Sequence, residues 1–177
     1  MTVTLENLRA DAQAREMLQR FDFVVEDADN EVWFDAAPLQ PFQVIAQKGS
    51  GCVYALTGPE KRVLFVSSEG QAGIVAASLR ECLELIVAYP YWQDIVRSAG
   101  GDLKKMRKIF REDCEDLEEE ALDNDPEIDD YRPLLRQKFG LSEPADPAKQ
   151  LHHAITVLGA NVLVRAPDGH PSEPLFR

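Results

Sequence analysis

Three histidines, three cysteines and a dense run of acids are the side chains of this 177-residue sequence best suited to chemistry. His152 and His153 are adjacent in a stretch that reads as helix, so their side chains diverge by about 100° and do not converge on one ion. His170 is the only other histidine, and no acids are spaced to complete a site with it, so no metal or cofactor is expected. Cys52 lies beside a glycine-bearing turn without the local sequence that marks a nucleophile, and Cys82 and Cys114 fall on apolar helical faces. Three widely spaced cysteines fit neither a disulfide framework nor a zinc pair and point to a reducing compartment. Gly49-Ser50-Gly51 is not the Gly-x-Ser-x-Gly of a nucleophile elbow, and Lys48-Gly49-Ser50-Gly51 lacks the Gly-Lys-Ser/Thr ending of a phosphate loop. No catalytic residue is identified, and the chain does not read as an enzyme.

The acids are the strongest anomaly. Residues 112–130 hold twelve Asp or Glu and no Lys or Arg, so this one segment carries the whole net charge of −12. Just before it stand Lys104, Lys105, Arg107, Lys108 and Arg111. On a helix that order opposes the macrodipole, which favours acids first and bases last. Lys108–Glu112 and Arg111–Glu115 can pair at four-residue spacing, whereas Glu112–Asp116, Glu115–Glu119 and Asp116–Glu120 repel by a few tenths of a kcal/mol each. Helix stability therefore does not account for the pattern. Charge runs are most often solvated faces that keep a protein dissolved. The functional reading is an anionic surface for a cationic protein partner, carried by Glu112, Asp113, Glu115, Asp116, Glu118 and Glu119. Asp123-Asn124-Asp125-Pro126 does not make a calcium loop, because proline stands where the loop continues and its sixth position has no glycine.

A pI near 4.7 argues against nucleic-acid binding, which needs clustered Lys and Arg. No apolar run approaches the roughly 20 residues that span a bilayer, and the N-terminal stretch lacks a signal layout, so a cytoplasmic protein is expected.

The elements that would position these residues are legible in order. Thr4 caps a helix over 5–20, and a small hairpin pairs 22–26 with 31–34 around a turn at 27–30. Pro38 and Pro41 bound a rigid connector. The stretch 42–87 then organises the chain, with strands over 43–47, 52–57, 62–67 and 73–76. Ser78 and Glu81 form a capping box for a helix over 78–87. Further helices follow over 91–98, 102–122 (capped by Asp102), 130–139 and 147–158 (Asp146 cap, Pro147 first). In the long one Leu103, Met106, Phe110, Cys114, Leu117 and Ala121 share one face. A last strand covers 161–165. The expected fold is a single α+β domain: a twisted, mostly antiparallel sheet packed by the helices at 5–20 and 78–87, with a helical C-terminal half. The core covers about 1–90 and the helical extension about 91–177.

Phe42-Gln43-Val44-Ile45-Ala46, Gly49-Ser50-Gly51, Val53-Tyr54-Ala55-Leu56, Val63-Leu64-Phe65-Val66 and the passage through Ser78-Leu79 resemble the SUKH superfamily. That group includes fungal cell-wall assembly regulators and bacterial immunity proteins that neutralise toxins. The resemblance covers about residues 40–87 and implies a protein that acts by binding, with no catalytic residues to carry over. The expected function is thus a non-catalytic module masking a cationic protein partner, such as a basic toxin domain. A second reading is a small-molecule or enzymatic domain with a pocket near Trp33, Tyr54 and Trp92, and a third is a subunit of a homo-oligomer.

Overall fold

Four antiparallel strands, β3 (Phe42–Gln47), β4 (Val53–Thr57), β5 (Arg62–Val66) and β6 (Gln71–Ala76), form the middle of the sheet. The structure is a computed structural model that describes residues 2–27, 32–37 and 42–176. β1 (Val24–Val25) adds antiparallel to β3, and β8 (Glu173–Pro174) adds parallel to β6, giving the order β1-β3-β4-β5-β6-β8. Every residue of β4 is buried, which a strand covered on one face only does not show. Alternate residues enter two separate clusters. Tyr54, Leu56, Val63, Phe65 and Val75 face the helices, while Val53, Leu64, Val66 and Ile74 face the other way. A bulge between Val44 and Ala46 shifts β3 by one residue, so that Ile45 and Ala46 both join the helical side. The fold is α+β, as the sequence predicts.

The helical side begins with α1 (Leu5–Ala10) and α2 (Ala12–Arg20), where the sequence predicts one helix over 5–20. Asp11 divides them. Its backbone leaves the helical region, its carboxylate caps the Ala14 N–H at 2.9 Å, and Lys138 pairs with it at 2.8 Å. One acid thus ends a helix, starts the next and ties both to α7 (Glu127–Phe139). The α3 helix (Leu79–Ala88) is capped as expected by Ser78, whose hydroxyl accepts from the Glu81 N–H at 3.2 Å. The Glu81 carboxylate reaches back to the Ala77 N–H, one residue earlier than the usual capping box. α4 (Trp92–Ala99) follows and ends at Gly100 in the left-handed region.

Two caps carry a pH dependence. Hydrogen bonding from Lys138 holds the Asp11 carboxyl below its ordinary range, and Arg107, at 2.8 Å, does the same for Asp146. A carboxyl depressed by folding adds stability that is present above its unfolded value, about 3.9, and lost as pH falls through the folded one. Asp11→Asn and Asp146→Asn are therefore expected to lower the urea midpoint at neutral pH and to converge with the parent only as the pH falls through the depressed folded-state values, where both side chains become neutral.

The opposite face of the sheet is covered by a layer that the sequence did not announce. β2 (Asp35–Ala37) pairs antiparallel with β7 (Leu163–Arg165), Ala36 opposite Val164, in a separate two-stranded sheet. Phe34, Ala36, Ala154 and Val164 are buried there against Val44, Leu64 and Ile74. The predicted hairpin of 22–26 with 31–34 is not formed: β1 goes to the main sheet and β2 to the second. Long-range burial against β3 and against β7 prevails over local turn chemistry. The turn expected at 27–30 lies outside the described residues apart from Asp27, as does the connector bounded by Pro38 and Pro41. The last strand, expected over 161–165, exists as β7, paired with β2. The C-terminal tail is also seated, since β8 carries Leu175 over Gly73, where a Cβ would lie 2.9 Å from the leucine Cδ1.

Candidate functional site

The acids sit on a helical rod that changes pitch. α5 (Leu103–Lys108) opens on Asp102, whose carboxylate accepts from the N–H groups of Lys104 at 2.8 Å and Lys105 at 3.1 Å. A π-helical turn over Ile109–Asp113 then leads into α6 (Cys114–Asn124). The wider turn moves contacts from the fourth residue to the fifth. Lys108 accordingly lies 3.7 Å from Asp113 and 4.0 Å from Glu112, and the Arg111–Glu115 pair is not among the ion pairs of the described residues. Two consecutive residues, Ile109 and Phe110, become buried where strict helical spacing would bury one. Of the predicted stripe, Met106 and Phe110 are buried, while Leu103, Cys114, Leu117 and Ala121 are partly buried against the same core.

Of the six predicted site residues, Glu112, Asp113, Glu115, Asp116 and Glu119 are exposed. Lys108 neutralises part of the first two; the other three have no cation within salt-bridge distance among the described residues. Glu118 differs. Its carboxylate accepts from Arg132 at 2.7 Å, and the same guanidinium donates to the Val87 carbonyl at 2.9 Å. Glu118 thus belongs to the joint between α6, α7 and α3. Tyr91, Cys114 and Leu122 line a shallow groove whose edge carries Glu115, Glu119 and Asp123. Burial, followed by Glu118, raises the Tyr91 phenol far above its ordinary value. Burial also raises the Cys114 thiol, with Glu115, Glu118 and Asp113 acting in the same direction. Both groups stay protonated near neutral pH and offer no nucleophile.

The remaining chemistry-bearing residues are dispersed. Cys52, Cys82 and Cys114 are free thiols. Cys52 is buried and accepts the Ser68 N–H at 3.4 Å, with the Ser50 hydroxyl at 3.3 Å. His152 donates from Nε2 to the Gly101 carbonyl at 3.1 Å and packs on Phe176, while His170 lies 3.1 Å from Asp168. No group of three His, Cys, Asp or Glu able to hold a metal ion occurs among the described residues, and no helix among them is long and apolar enough to cross a membrane. Trp33, Tyr54 and Trp92, read from the sequence as lining one pocket, are not brought together. Trp33 is 40% exposed and leans edge-on against Phe34 in the second layer. Tyr54 and Trp92 are each 1% exposed on the helical side of the sheet, with Phe65 between them.

Comparison with protein-family models, curated proteins and solved structures finds no match. The functional reading therefore rests on the geometry.

Sequence reasoning reached the acidic segment through its charge alone. It missed Arg132, because a guanidinium that joins three helices has no local signature, although Arg132 standing at four residues from Ile128 and among acids offered a weak hint.

Proposed function

We propose that this protein is a non-catalytic binding module that masks a cationic protein surface with the exposed acids of the π turn and α6. The observation that supports this reading is the set Glu115, Asp116 and Glu119: exposed, on consecutive turns, and without a counter-ion among the described residues. Placing like charges there costs the helix a few tenths of a kcal/mol per pair. A surface held against that cost is suited to a partner that supplies the missing positive charge and steers on it. The resemblance of 40–87 to SUKH proteins agrees with an immunity or regulatory role, for which a basic toxin domain is the partner of choice.

The test separates docking from solubility. Glu115→Gln, Asp116→Asn and Glu119→Gln together are expected to leave the thermal midpoint unchanged or slightly raised, because repulsion is relieved. The same triple variant should weaken a partner recovered with the parent protein by more than tenfold in a direct titration. Raising salt from about 0.1 M to about 1 M, which shortens the screening length from about 10 Å to about 3 Å, should do likewise for the parent. Affinity indifferent to both changes would sink the docking role.

A further inference from the structure

A small cavity between α4, β5 and the C-terminal tail differs in electrostatics from the rest of this acidic molecule. Its volume is about 60 Å³. Phe65, Trp92, Val96 and Leu175 supply apolar walls, and Trp92 packs edge-on against Phe65 with ring centroids 5.1 Å apart. The polar lining is Ser67, Gln71, Gln93 and Arg97. In a chain with a net charge of −12, the only charged residue lining the cavity among the described residues is thus a guanidinium.

The donors there are underused. The Gln93 amide nitrogen is buried and has no hydrogen-bond partner among the described residues. Buried polar atoms are nearly always paired, so an unpaired one calls for a specific explanation. The terminal amide torsion of glutamine is broad, and this nitrogen breaks no bond when it turns toward the cavity. Ser67 is 8% exposed; its hydroxyl accepts the Gln71 N–H at 3.0 Å, which leaves its own proton to donate. Among the described residues Arg97 pairs with exposed acids outside the lining, Asp94 at 3.4 Å and Glu69 at 3.9 Å. Donors and one cation facing an apolar floor are complementary to a small molecule with an anionic acceptor at one end and a short hydrocarbon at the other.

We propose that this cavity binds a short-chain monocarboxylate, with its hydrocarbon against Trp92 and Phe65 and its carboxylate between Gln93 and Arg97. The volume holds a few water-sized groups, which limits the ligand to about four to six non-hydrogen atoms. A ligand that small binds in the millimolar range.

Sodium propionate is the probe, titrated against sodium chloride at constant ionic strength. The protein contains two tryptophans, so Trp33→Phe leaves Trp92 as the sole indole emitter. In that background propionate is expected to give a saturable change in emission at millimolar concentration. Arg97→Met, at a side chain that is 64% exposed, should keep the fold and weaken binding by about tenfold. Gln93→Leu removes an unpaired buried amide, so it should leave the urea midpoint unchanged or raised while also weakening propionate. Propionamide should bind at least about tenfold more weakly than propionate and be insensitive to Arg97→Met. No saturable response to propionate in the parent would overturn the proposal. So would affinity unchanged in both variants, or propionamide binding as tightly as the acid.

Discussion

Trp92→Ala is expected to destabilise the protein by about 3–5 kcal/mol, read as a fall in the urea midpoint with an unchanged slope. Trp92 is 1% exposed and stands at the end of a row of rings that crosses the helical face of the sheet. Phe23 and Tyr54 lie with centroids 5.0 Å apart, Tyr54 and Phe65 at 5.0 Å, and Phe65 and Trp92 at 5.1 Å. Removing the last ring deletes burial and leaves a hole against Phe65 that neighbouring strands cannot collapse into, because each of them is held on both faces. Trp33→Ala provides the contrast. With 40% of its surface exposed and an edge-on ring contact to Phe34, it should change stability by about 0.5 kcal/mol or less. Similar losses for the two variants would mean that the aromatic row does not organise the core.

Gly159→Ala is expected to cost about 1–3 kcal/mol by a different route, overpacking. The backbone at Gly159 has φ −93° and ψ 0°, which any residue adopts, so conformational freedom is not what the position requires. It requires space. A Cβ there would lie 2.8 Å from the Ile155 carbonyl oxygen and 3.2 Å from the Ile74 backbone nitrogen. Both neighbours are backbone atoms, and neither can turn aside as a side chain would. Gly159 closes the π-helical turn Ala154–Leu158 directly over β6, donating its N–H to the Ala154 carbonyl at 2.9 Å. Arg62 of β5 accompanies that closure by donating to the Leu158 carbonyl at 3.1 Å. A methyl group at 159 therefore pushes the second layer off the sheet, and fluorescence of Trp33, on that layer, should report it. An alanine variant as stable as the parent, with unaltered Trp33 emission, would show that this layer is loosely seated.

The acidic face and the cavity beside Trp92 are independent. They lie on different elements, α6 for one and the α4–β5 corner for the other, and each has its own neutral or conservative variant. Loss of protein docking in the triple α6 variant with propionate binding intact, or the reverse, would separate the two.

Features that depend on residues three or four apart were readable from the chain. Thr4, Ser78, Asp102 and Asp146 cap helices as their side chains and spacing dictate, because a cap is satisfied by N–H groups two or three positions away. The four central strands and the concentration of charge in 112–130 are likewise properties of local composition. Sequence also marked out Glu112, Asp113, Glu115, Asp116, Glu118 and Glu119 as a surface by their charge, and all but Glu118 are exposed.

What the tertiary structure alone decided involves partners far apart in the chain. Asp11 breaks the first helix in company with Lys138, and in place of the hairpin expected of 22–26 with 31–34, β1 pairs with β3 and β2 with β7. Glu118 is withdrawn from the acidic face by Arg132, and Leu175 completes a cavity begun at Phe65. The π turn belongs here too: burying both Ile109 and Phe110 requires a wider helical turn, and only the core that receives them sets that requirement. A chain specifies its caps and strands through near neighbours. It settles pairing, pitch and cavities only when distant apolar surfaces compete for burial, and that competition has no signature in any single stretch of sequence.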